Sequence, residues 1–181
     1  MTEFVLPKGV GRSVRLWIDD LPAIVVGPAH TKRIEHPVAD VKAVALHSRV
    51  AVEMFQPMGG SFRYGLLGAE FSSDSTGTLN VVVPTESQGT ECRYAESLAG
   101  ELDEVIIGGT PQYAAAVIAG IEKMQRESLP SGRLIFSVMA HGIVGSAPIV
   151  FEMLAKAVVR LLIHDGEPRT ADEVATLLGL G

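Results

Sequence analysis

The sequence contains a single cysteine, Cys92, among 181 residues. This excludes an internal disulfide and any zinc site built on several cysteines, and it fits a reducing compartment. No run of about 18 apolar residues occurs, the length that a membrane-spanning helix requires. The opening Met1-Thr-Glu-Phe-Val-Leu-Pro7 lacks the basic and apolar regions of a secretory leader. A cytoplasmic, soluble chain with no membrane partner is therefore expected. Basic residues are also in short supply: 15 Lys and Arg face 21 Asp and Glu, for a net charge of −6. Nucleic-acid affinity comes largely from neutralised phosphates, so this balance weighs against nucleic acid, and DNA is not expected as a partner. Internal repeats and low-complexity tracts are missing too.

What the sequence has in quantity is apolar material, 47% of residues against 20% charged. The length suits one domain with a sizeable core. So much apolar surface on a small globule leaves patches that serve association, so a homo-oligomer is expected.

Ser13 to Ile18 alternates polar and apolar residues and reads as a strand. Asp19-Asp20 supplies a turn, and Pro22 to Val26 reads as a second strand closed by Gly27-Pro28, which suggests a hairpin. Ala29 to Asp40 is polar and irregular. The apolar residues of Val41 to Phe55 fit a helix or strands, with a strand favoured for Arg49 to Phe55. After Gly59-Gly60, strands are expected at Phe62 to Phe71, Thr78 to Val83 and Leu102 to Ile107, with a loop and one helical turn over Pro84 to Gly100. Thr110-Pro111 gives an N-cap followed by a first-turn proline. Ala114, Val117, Ile118, Ile121 and Met124 then repeat at helical spacing. Arg133 to Ala140 reads as a strand. Ser146 and Pro148 open a second helix whose stripe is Val150, Leu154, Ala155, Val158, Leu161 and Leu162. Thr170-Ala-Asp-Glu173 has the form of a capping box for a last short helix. Strands bunched before helices predict an α+β fold, with helices packed on one face of a mixed sheet.

Three segments carry a likeness to a known family. Gln56-Pro-Met-Gly-Gly-Ser-Phe-Arg-Tyr-Gly65 has a glutamine, double glycine, basic residue, tyrosine and glycine in order. Val105-Ile-Ile-Gly-Gly-Thr-Pro-Gln-Tyr-Ala-Ala-Ala-Val-Ile-Ala-Gly-Ile121 joins a strand, a turn and a helix start. Phe151-Glu-Met-Leu-Ala-Lys-Ala-Val158 lies in the second helix. Together they resemble the fourth domain of elongation factor G, over about 115 residues from Arg49 to Ile163. The resemblance implies a ribosomal-protein-S-five domain-two-like fold: about four strands, two helices on one side and a left-handed crossover. Residues 1–48 would then be an N-terminal hairpin extension, 49–163 the core and 164–181 a C-terminal helix of a single domain.

The likeness has departures. The loop Gly59-Gly60-Ser61-Phe62-Arg63 keeps one arginine but places Phe62 where the family has a small residue. Ile143-Val-Gly-Ser-Ala-Pro148 is shorter than the family's loop and lacks its histidine and aspartate. The chain carries no GTPase sequence, so translocation is not implied.

For chemistry, Gly59, Gly60, Arg63 and Tyr64 could form a tip that touches RNA or a ligand, with the glycines admitting a phosphate and Arg63 its charge; the plainer reading is a glycine-rich hairpin. His141 with Ser146 could act as an acid–base pair, against a simple turn histidine. Gly108-Gly109-Thr110 precedes a helix N-terminus, a natural anion site, but its spacing is that of no phosphate loop. His30, His36 and His47, with Glu35 and Asp40, do not share a helix face, and neither metal nor cofactor is expected. The function expected first is a non-enzymatic module that binds a macromolecular partner, the ribosome or RNA. The rival is a homo-oligomeric enzyme or small-molecule binder with a site at a subunit interface drawn from His141, Arg63 and Glu91. An oligomeric scaffold is a third reading.

Overall fold

Thr110 and Pro111 begin the first helix as the sequence predicts: the Tyr113 amide donates to Thr110 Oγ1 at 3.3 Å, and helix α1 runs over Pro111–Glu122. Its predicted stripe is buried throughout, Met124 just beyond its end included. The second helix, α2, spans Pro148–Ile163 with all six predicted stripe residues buried. Its N-cap is Ala147, which offers no side-chain cap, and the Ser146 hydroxyl just before it bonds the Tyr64 carbonyl. The third, α3 (Ala171–Leu177), starts on the expected capping box between Thr170 and Glu173.

The computed structural model describes residues 1–6, 11–24, 31–37, 45–86, 92–124 and 129–180. Within them lie eight strands: β1 (Thr2–Leu6), β2 (Arg12–Ile18), β3 (Thr31–Pro37), β4 (Arg49–Met58), β5 (Ser61–Ser73), β6 (Thr78–Pro84), β7 (Val105–Ile107) and β8 (Gly132–Gly142). They form one sheet in the order β1-β2-β4-β5-β8-β6-β3, with β7 also paired to β8. β6 lies parallel to β8, with α1 in the connection, and every other pairing is antiparallel. β6 meets the start of β8 and β7 its end, on the same side of that strand. The fold is α+β with a mixed sheet, as predicted.

Three local expectations are corrected. Ser13 to Ile18 is a strand, but its hairpin partner is β1, which precedes it. Residues 21–24 carry no strand, and Val26 lies outside the described residues. The supposedly irregular segment around Lys32 and Arg33 is β3, held along β6 by a ladder from Thr31–Pro84 to Pro37–Thr78. Its polar side chains fit an edge strand, which lacks a second neighbour. Hence the sheet is seven strands across, where about four and a separate N-terminal hairpin were expected, because β1 and β2 extend one margin and β3 the other.

The core divides between the two sheet faces. On one side α1, α2 and α3 pack over Val14, Leu16, Val50, Met54, Leu67 and Leu134. On the other, Trp17, Tyr64, Leu66, Tyr94, Ala99 and Val138 form a smaller cluster with no helical residue. α1 and α2 meet closely at Gly120, where a Cβ would stand 2.6 Å from the Glu152 carbonyl oxygen.

Candidate functional site

The turn between β4 and β5 and the loop between β8 and α2 come together at one end of the sheet. Met58 pairs with Ser61, which leaves Gly59-Gly60 as a two-residue turn. Gly59 has φ +69°, a conformation glycine adopts without strain. Both glycines are exposed with open space around them.

The neighbouring loop, residues 143–147, is fixed from three directions. The Tyr64 amide donates to the Gly145 carbonyl at 2.9 Å. The Ser146 hydroxyl donates to the Tyr64 carbonyl at 2.8 Å and accepts from the Gly142 amide at 2.8 Å. The buried Asp103 carboxylate accepts from the amides of Val144 at 3.1 Å and Gly145 at 2.7 Å. Phe62 packs so closely on Gly145 that a Cβ there would run into its ring, and it leans on Phe55 with ring centroids 5.6 Å apart. Carboxylate–amide bonds are among the stronger hydrogen bonds, so this end is rigid. Four of its outward side chains are apolar: Met58, Ile143, Val144 and Ile149 are 44, 58, 76 and 53% exposed.

The residues singled out from the sequence separate. Gly59 and Gly60 are at the surface of this end. Ser146 is bonded into its scaffold. Arg63 lies on the helix-side face of β5, where it lines a cleft with Ile149, Met153 and Lys156. Tyr64 is a core residue, 0% exposed, with its hydroxyl on Glu53. His141 turns away from Ser146: its Nδ1 lies 2.8 Å from the Gly108 carbonyl, and its ring rests on Tyr113. With Nδ1–H donating to that carbonyl and the Ser146 hydroxyl spent on backbone groups, the alternative of an acid–base pair is not assembled. The Gly108 and Gly109 amides go to the carbonyls of Met139 and Glu86, which gives that turn a packing role. His47 bonds Asp19 at 2.9 Å; this bond, before the other influences, lowers the Asp19 carboxyl below its usual range. Among the described residues no group of three His, Cys, Asp or Glu could hold a metal ion. His30, Asp40 and Glu91 lie outside those residues, as does the side chain of His36.

Two acids escaped sequence reasoning. Asp103 bonds residues about 40 positions away, a pairing no local pattern reveals. Glu53 did leave a signal, a lone charge inside the apolar run Val50-Ala-Val-Glu-Met54. It is 0% exposed, and its Oε1 accepts from the Tyr64 hydroxyl at 2.9 Å and the Leu98 amide at 2.8 Å. Its Oε2 accepts from Arg15 at 3.0 Å. Arg15 also holds Glu3 and the Glu96 carbonyl, and it lies 5.9 Å from the centre of the Trp17 ring. Of these groups Arg15, Trp17 and Glu96 border a cavity of about 510 Å³ on the face opposite the helices, lined also by Leu21, Ile24 and Tyr94 among others.

Comparison of the chain with known protein families, with curated proteins and with solved structures finds no match.

Proposed function

We propose that the chain is a non-enzymatic binding module that docks a macromolecular partner through the end formed by the β4–β5 turn and the β8–α2 loop. The observation that carries this reading is the exposure of Met58, Ile143, Val144 and Ile149 on a scaffold fixed by Asp103 and Ser146. Aliphatic side chains held rigidly in water cost no further ordering when a partner covers them, which favours association. The succession β4, β5, β6, β7, α1, β8, α2 supports the likeness to the fourth domain of elongation factor G. We extend that likeness to a ribosomal-protein-S-five domain-two-like core with a left-handed crossover, and to the ribosome as the first partner to test.

Co-sedimentation with ribosomes tests this. Capture that persists as salt rises identifies an apolar, protein-facing contact, whereas capture that falls steeply with salt identifies RNA. Val144→Asp should abolish the first kind. A chain that stays in the supernatant even at low salt removes the ribosome reading.

A second reading, a homo-oligomeric small-molecule binder, is favoured by the cavity beside Arg15 and Trp17, whose volume of about 510 Å³ lies within the range of ligand sites. A compound that raises the melting temperature of the wild type but not of Trp17→Ala supports it. Sedimentation equilibrium gives the subunit number.

A further inference from the structure

Arg12, at the start of β2, is 9% exposed, yet its Nε–H meets no acceptor. Ser13 pairs with Phe55, and Gln56 pairs with Arg63, so Arg12, Gln56 and Arg63 follow one another across three adjacent strands. They alternate in phase with Val14, Met54 and Leu67 of the helix-side core, which sets the row on that face. No carbonyl or carboxylate bonds Arg63 among the described residues. Burial lowers the pKa of Arg12, and the positive charge of Arg63 lowers it further. Two guanidinium groups thus stand close together with no bonded anion between them, whereas buried charges in folded proteins are ordinarily paired.

Arg63 borders a cleft of about 330 Å³, whose other walls include Ile149, Met153 and Lys156 of α2 and Leu178 just after α3. The carboxylate in that lining, Glu152, is already shared by Lys123 at 2.6 Å and Lys156 at 2.9 Å. Cations are therefore in excess around the cleft.

We propose that Arg63 and Lys156, which line the cleft, together with Arg12 in the same cross-strand row as Arg63, form a binding site for a phosphate monoester with a small, partly apolar body. A guanidinium presents N–H donors in a fork that matches phosphate oxygens, and the cleft's size lies at the lower end of small-molecule sites. Ile149, Met153 and Leu178 offer the body of the ester an apolar wall. The site faces the helix layer and shares only Ile149 with the docking end.

Isothermal titration of the full chain at low salt is the test, with inorganic phosphate, adenosine monophosphate and a short single-stranded RNA as probes. The monophosphate should bind more tightly than inorganic phosphate, because only it fills the apolar part of the cleft. Arg63→Gln should weaken it by about 10-fold or more, the equivalent of one charge-assisted hydrogen bond. Arg12→Gln should do the same. Arg63 is partly exposed, so its variant keeps the test decisive even if Arg12→Gln fails to fold. Arg133→Gln, on an exposed side chain of β8, should leave binding unchanged. The proposal is overturned by an absence of binding to both small probes, by equal binding in wild type and Arg63→Gln, or by equal losses in Arg63→Gln and Arg133→Gln. Binding of RNA without the monophosphate would overturn it in favour of a nucleic-acid surface.

Discussion

Glu53 bears the highest local electrostatic cost described above, because a carboxyl at 0% exposure loses its hydration. Burial raises its pKa above the usual range, against the bonds from Leu98 and Tyr64 and the charge of Arg15, which act to lower it. Burial, followed by the charge of Glu53, pushes the Tyr64 hydroxyl well above its usual value as well, so the phenol stays a donor. The folded chain therefore holds the Glu53 proton at pH values where the unfolded chain has released it. The stability this carboxyl contributes is complete below the ordinary carboxylate range and is lost as pH rises through its folded value. Denaturant titrations across pH should show Glu53→Gln gaining on the wild type as pH rises. Tyr64→Phe should cost about 1.5–3 kcal/mol at pH above the folded pKa of Glu53, the worth of a hydrogen bond to a charged group. The cost should shrink in acid, once Glu53 is neutral.

Among the elements, the β8–α2 loop has two of its amides bonded to one side chain, Asp103. Asp103→Asn keeps the shape but removes the charge that Val144 and Gly145 share, and should speed amide hydrogen exchange at those two positions far more than in β8. The α1–α2 contact has a different weakness. Gly120→Ala would press a methyl on the Glu152 carbonyl, and chemical denaturation should record a loss of about 1–3 kcal/mol, typical of overpacking. Both helices were legible in the sequence because their signals are local: Thr110-Pro111 as cap and first turn, then apolar residues at a fixed period. β3 was not. Lys32, Arg33 and Glu35 carry no alternation that marks a strand, and that segment is extended because β6 offers it a ladder. The hairpin of residues 13–26 failed for a related reason: a turn at Asp19-Asp20 is readable, but the choice of β1 over the following segment is made by pairing in space. At the candidate site, Gly59 and Gly60 could be found from their turn chemistry. The solvent-facing Ile143 and Val144 could not, since apolar residues in sequence suggest core until a structure shows them outside it.

At the scale of the whole molecule, the docking end and the fold are separable. Ile143 and Val144 project outward while the bonds that fix their loop run through the backbone and Asp103. Ile143→Asp with Val144→Asp should therefore leave the unfolding midpoint nearly unchanged, within the roughly 0.5 kcal/mol usual for surface substitutions, and yet abolish association with the partner. A large loss of stability in that double variant would mean that the end is part of the fold's own support.

The strand order has a consequence for synthesis. β8 sits between β5 and β6, although it is the last strand to leave the ribosome. Until then β1, β2, β4 and β5 can assemble as one ribbon and β3 with β6 as another, and no strand pairing among the described residues joins the two. Each nascent ribbon exposes an unpaired margin of buried-type residues, Leu66 and Leu67 on β5 and Val81 and Val82 on β6. Such margins invite pairing with other chains. A chain cut short before Gly132 should therefore aggregate rather than persist as a smaller domain, and the final strand acts as the keystone that turns two sticky fragments into a single sheet.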